Sequence, residues 1–100
     1  MDSKWKVEFT RSSRREFKLL ESGAKREAAA LVEELREDPF PIGSEKLRGY
    51  HDYYRAKFYR GRYRMIFRVF EGRRRILITR VRPRSIAYSG LADTRSEEVN

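Results

Sequence analysis

Residues 53–82 read YYRAKFYRGRYRMIFRVFEGRRRILITRVR, and the reading of this run decides the fold. In its first part Tyr54, Ala56 and Phe58 alternate with Tyr53, Arg55, Lys57 and Tyr59, and in its second Tyr63, Met65, Phe67 and Val69 alternate with Arg62, Arg64 and Arg68. A period of two residues is that of a strand with one face buried. Three strands are expected, over 53–59, 62–70 and 73–82, separated by turns at Arg60-Gly61 and Glu71-Gly72. Connections this short join antiparallel neighbours, so the three form a meander.

Working back toward the N-terminus, the segment 40–44 carries Pro41 and Gly43 and reads as a connecting loop. Before it, Ala28, Leu31, Val32 and Leu35 make one apolar stripe at helical spacing over 24–37, with Lys25, Glu33, Glu34 and Arg36 facing water and Asp38-Pro39 as the stop. Ser13 and Glu16 have capping-box spacing ahead of Phe17 and Leu20, which predicts a shorter helix that ends at Gly23. Trp5, Val7 and Phe9 alternate with Lys4, Lys6 and Glu8 as a first strand. The expected order is therefore β-α-α-β-β-β, an α+β domain with two helices packed on one face of a small antiparallel sheet and the other face open.

Pro83 interrupts the last strand, residues 84–91 are expected to make a short helical turn, and 93–100 read as a polar tail. The expected division is thus a domain over 1–92 and a tail over 93–100. A chain of 100 residues builds one domain with a thin core, and 39% apolar content with 13% aromatic is enough to fold it. With no cysteine and one histidine, His51, neither a disulfide framework nor a metal site is expected, and a reducing compartment is compatible. No stretch has the length and apolarity of a signal peptide or a membrane span, so a cytoplasmic protein with no membrane partner is expected.

The net charge of +9 is unevenly placed. Between Lys46 and Arg84 stand fourteen lysines and arginines against two carboxylates, Asp52 and Glu71, while the rest of the chain is slightly acidic. Strand alternation puts Arg55, Lys57, Arg62, Arg64 and Arg68 on the face away from the helices. If Leu77 and Val81 belong to the core, Arg80 and Arg82 join that face together with Ile76 and Ile78. Like charges abreast on neighbouring strands repel, and stability alone gives no reason to collect them. A polyanion does, and the tyrosines among the arginines, Tyr53, Tyr59 and Tyr88, suit bases as well as phosphates.

Simple binding has no need of a lysine set among arginines, whereas RNA cleavage by side chains alone has three uses for such a group. A 2′-hydroxyl must lose its proton, the phosphorus must have its added negative charge met, and the leaving 5′-oxygen must be neutralised. An amine crowded by cations gives up its proton more readily, while arginine stays charged. Lys57 fits the first task; Arg55, Arg64 and Arg62 lie near it if the two strands pair through Arg60-Gly61.

The runs Glu45-Lys46-Leu47-Arg48-Gly49, Tyr54-Arg55-Ala56-Lys57-Phe58, Gly61-Arg62-Tyr63-Arg64-Met65-Ile66-Phe67 and Arg82-Pro83-Arg84-Ser85-Ile86-Ala87-Tyr88 resemble the RelE toxins of bacterial and archaeal toxin–antitoxin pairs. The resemblance in element order extends from the first strand to Tyr88 and implies a RelE-like, microbial-ribonuclease-like fold. It also implies an endoribonuclease that enters the ribosomal A site and cuts the bound mRNA by 2′-hydroxyl attack, with no cofactor. By the same resemblance Arg55 and Lys57 match two basic strand residues of the site, Arg64 the arginine that meets transition-state charge, Arg82 the general acid, and Tyr88 the residue that stacks on a base; arginine is too basic to be an acid near neutral pH, so Arg82 is expected to stabilise charge on the leaving oxygen. Arg55 departs from the lysine of the best-known members and is too basic for a general base, which leaves proton abstraction to Lys57. Lys46, Arg48, Arg62, Arg68, Arg80 and Arg84 are expected to contact RNA, including ribosomal RNA.

The implied partners are mRNA, the ribosome with its small-subunit RNA at the A site, and an acidic antitoxin. Two rival readings share the features above: a ParE-like toxin that poisons DNA gyrase without nuclease activity, which has no use for Lys57 and Tyr88, and a catalytically silent nucleic-acid binder.

Overall fold

The structure, a computed structural model, describes residues 4–91; the polar stretch 93–100 and the domain end at residue 92 lie outside the described residues. Along the chain run β1 (Lys6–Phe9), α1 (Arg11–Lys18), α2 (Ser22–Glu37), β2 (Glu45–Lys46), β3 (Tyr53–Phe58), β4 (Tyr63–Phe70), a 3₁₀ turn at Glu71–Arg73 and β5 (Arg75–Pro83). The strands make one sheet in the order β1-β5-β4-β3-β2. β3, β4 and β5 are the antiparallel meander that their alternation and short turns dictate. The sheet as a whole is mixed, because β1 lies parallel to β5, Lys6 beside Arg75 and Phe9 beside Ile78. No hairpin turn joins these two strands, so nothing local imposes the antiparallel sense.

The helices cover one face. Ala24, Ala28, Leu31, Val32 and Leu35 of α2 pack on Phe58, Met65, Phe67, Val69, Ile76, Ile78 and Val81 of the sheet. A second, smaller cluster of Leu47, Tyr53, Ile66, Ala87 and Leu91 occupies the opposite face. That face is therefore not wholly open. The chain beyond Pro83 folds back over it through successive turns, Ile86 N–H to Pro83 O and Leu91 N–H to Tyr88 O among them, and buries Ala87 completely.

Three local features depart from the sequence reading. The first helix is capped by Thr10, whose Oγ1 accepts from Ser13 N–H at 3.1 Å. Ser13 is buried inside the helix with its hydroxyl donated to Ile78 O at 2.7 Å, and Glu16 is left for a different task described below. Gly23 does not stop α1. It lies in the first turn of α2, where an added Cβ would stand 3.0 Å from the Tyr59 ring, so the residue is small because the ring occupies that space. Finally, β5 carries a bulge: Ile66 faces Arg80 but Phe67 faces Ile78, and Thr79 is left over with its hydroxyl donated to Ile66 O at 3.2 Å. One extra residue flips the alternation. Ile76 and Ile78 thus enter the helix-side core along with Val81, whereas a strand without a bulge would have put them on the cationic face.

Candidate active site

Strand register assembles the site. Lys57 on β3 is directly opposite Arg64 on β4, and Arg64 is directly opposite Arg82 on β5. Directly opposed residues present their side chains on the same face, and three strands at about 4.8 Å spacing bring the outer two backbones of this row to about 10 Å. Three cations are thereby placed abreast on the face away from the helices. The neighbouring row holds Arg55, Ile66 and Arg80 in the same sequence of strands.

The four cations expected at the reaction centre differ in how they are held. Lys57 is exposed, and its ammonium has no hydrogen-bond or ion-pair partner among the described residues. Arg64 is half-buried; its Nη1 donates to Gly61 O at 2.6 Å and to Tyr63 O at 3.3 Å, so carbonyls of the hairpin orient it, and no carboxylate among the described residues matches its charge. Arg82 donates through Nε to Glu16 Oε2 at 2.6 Å. Arg55 is ion-paired with Glu45, the residue beside it on β2. The guanidinium of Arg55 is thus already matched by a carboxylate of its own chain, as that of Arg82 is by Glu16.

The remaining predicted residues scatter. Arg80 does not face solvent: it is 4% exposed, and its guanidinium donates to Ala87 O, Ser89 O and Gly90 O at 3.0, 2.6 and 2.9 Å. It ties the terminal turns to the sheet and is unavailable to RNA. Lys46 pairs with Tyr54, and its ammonium lies 5.6 Å from that ring, whose other neighbours Phe40 and Phe67 place it on the helix side; Lys46 is thus off the cationic face. Arg68 is half-buried, 4.9 and 4.7 Å from the rings of Tyr53 and Phe70 with Asp52 at 3.8 Å, and four residues along β4 set it about 13 Å from Arg64. Arg62 leans on the Tyr59 ring at 6.0 Å at the hairpin end. Arg48 is exposed in the turn before β3, and Arg84 is exposed just past β5 with its N–H on Arg62 O.

Of the tyrosines expected among the arginines, Tyr53 is 1% exposed and Tyr59 has left the face altogether. Tyr59 and Arg60 both adopt positive φ in the hairpin turn, and this turns the Tyr59 ring toward α2, where its hydroxyl meets Glu21. Tyr63 also donates to Glu21, and desolvation followed by that carboxylate holds its phenol above the ordinary tyrosine value. Tyr88, 39% exposed in the terminal turns next to buried Ala87, keeps a free ring surface.

Two carboxylates of the site carry no catalytic signal in the sequence. Glu45 is legible only once β2 is known to exist, and Glu16 was accounted for as a helix cap. An Arg80→Leu change leaves three carbonyls without their donor, a cost of about 1–3 kcal/mol. It is expected to speed hydrogen exchange at the Ser89 and Leu91 amides by about tenfold or more; unaltered protection would mean that Ala87 and Leu91 hold the turns by apolar packing alone.

No protein-family model matches the chain, and no curated protein matches its sequence. Solved structures do match its fold. The archaeal RelE–RelB complex from Pyrococcus horikoshii OT3 superposes with a TM-score of 0.71 at 26% identity, over 84% of this chain and 99% of that one. The intact E. coli RelBE toxin–antitoxin complex gives 0.71 at 23% over 79% and 95%. A YoeB/ParE toxin from Agrobacterium tumefaciens gives 0.69 at 20% over 78% and 96%. The chain has the fold of RelE-type toxins within the RelE/ParE superfamily.

Proposed function

We propose, from this RelE-type fold and the row it carries, that the chain is the toxin of a toxin–antitoxin pair and a metal-independent endoribonuclease that cuts mRNA in the ribosomal A site. The observation that carries the reading is the register Lys57–Arg64–Arg82 across three strands. Lys57, free of any carboxylate among the described residues, takes the proton of the 2′-hydroxyl; Arg64 meets the charge that builds on the phosphorane; Arg82 faces the leaving 5′-oxygen, its charge rather than a proton serving there. Tyr88 stacks on a base, and Arg84 and Arg48 contact backbone phosphates. The leaving 5′-oxyanion, held by Arg82, takes its proton from solvent water, so the products are a 2′,3′-cyclic phosphate and a free 5′-hydroxyl. The place of action is the cytoplasm, where ribosomes are, and the partner is an acidic antitoxin that covers the cationic face; among the described residues no helix is long and apolar enough to cross a membrane.

Primer extension on mRNA recovered from programmed ribosomes treated with the protein is expected to show cuts in phase with the codons, with cyclic phosphate at the upstream ends. Intact message, with protein synthesis nonetheless stopped, would refute it. A ParE-like toxin without nuclease activity is the second reading, favoured by the ion pairs that Arg55 and Arg82 make with their own chain. Toxicity that survives Lys57→Ala would point there.

A further inference from the structure

Glu16 is the unexplained group beside the proposed site. It sits on α1, yet its carboxylate spans to β5: Oε1 accepts from Val81 N–H at 2.8 Å and Oε2 from Arg82 Nε at 2.6 Å. The backbone reason is clear. β1 pairs with β5 only as far as Phe9 beside Ile78, after which Thr10 turns the chain into α1, and among the described residues the β5 edge beyond has no strand neighbour. Glu16 supplies the acceptor that a longer β1 would have given to Val81. Its second oxygen then reaches the very arginine that ends the cationic row.

We infer that Glu16 is a positioning residue for Arg82 in the proposed cleavage, an assignment that rests on the nuclease reading. A guanidinium has five N–H donors, and Glu16 engages only Nε. The two terminal NH₂ groups have no partner among the described residues and are presented as a fixed fork, the geometry that matches two oxygens of a phosphate. The carboxylate also offsets part of the repulsion between Arg82 and Arg64. Both side chains are 23% exposed, so the pair is partly shielded from water and from salt.

Glu16→Gln separates the two duties of the carboxylate. The amide oxygen keeps the bond to Val81 N–H, while the amide NH₂ meets Arg82 Nε–H donor to donor and releases the guanidinium. Expected are a melting temperature close to wild type, loss of the slowly exchanging Arg82 Nε–H resonance in ¹⁵N NMR, and a fall of about 10²-fold in the single-turnover cleavage rate on saturating programmed ribosomes. In an Arg82→Ala background the same change should cost nothing more. Glu16→Ala, which removes both bonds, should lower the melting temperature as well. The inference is overturned if Glu16→Gln cuts at the wild-type rate, or if it slows cleavage equally with and without Arg82. A wild-type chain that never cuts overturns the nuclease reading itself and takes this inference with it.

Discussion

Lys57→Met is expected to abolish single-turnover cleavage in practical terms, by about 10²–10⁴-fold, while leaving the protein as stable as the parent. The expectation follows from its surroundings. The side chain is exposed and holds nothing in place among the described residues, so its removal leaves the sheet intact, yet it is the one amine in the row. Methionine keeps the length and loses the proton acceptor. The checks are a cleavage time course on programmed ribosomes and a thermal melt of the same preparation. Cleavage within a factor of a few of wild type would remove Lys57 from the chemistry and transfer the burden to a group outside this row. Binding is expected to suffer less than the rate, since Arg64 and Arg82 still offer charge to the phosphate.

The second large effect is on the fold. Phe67→Ala should cost about 3–5 kcal/mol. Phe67 is fully buried on the central strand, with its ring 6.1 Å from Tyr54 and the helix α2 stripe above it. A domain of this size has about 5–15 kcal/mol of stability in all, so about a fifth of the margin at least, and at most all of it, would go. At about 4–8 °C per kcal/mol for 60–100 residues, the melting temperature should fall by more than 12 °C. A drop of only a few degrees would mean that the neighbouring side chains collapse into the space, and that the core is less tightly packed than its burial implies.

How much of this was legible in the sequence depends on how local each signal was. The alternation in 53–70 assigned Tyr54, Ala56, Phe58, Tyr63, Met65, Phe67 and Val69 to one face and Arg55, Lys57, Arg64 and Arg68 to the other, and the structure places them so. In β5 the same reasoning gave Arg82 its face but misplaced Ile76, Ile78 and Leu77, because a bulge leaves no mark in the pattern except apolar residues at 76, 78 and 81, a spacing that no regular strand gives. Arg80 reads as cationic surface in the sequence for a different reason. Its face was right, but whether later chain would cover it is a long-range fact, and the turns around Ala87 do cover it. Tyr59 was lost to two consecutive positive φ angles at residues that are not glycine, which propensity argues against. That Lys46 itself lies in a strand is not legible, because a two-residue strand has too few positions to show a period. The acids at 16 and 45 meet their arginines only through tertiary contact and register, and neither distance in sequence gives a hint of it.

The parallel pairing of β1 with β5 joins one of the earliest segments of the chain to one of the last. A nascent polypeptide emerging residue by residue holds β1 and both helices with no β5 edge for β1 to join until residues 75–78 have also emerged. Chains cut short before Arg75 lack both that edge and Arg82, so on the proposed mechanism such fragments are expected not to cleave RNA.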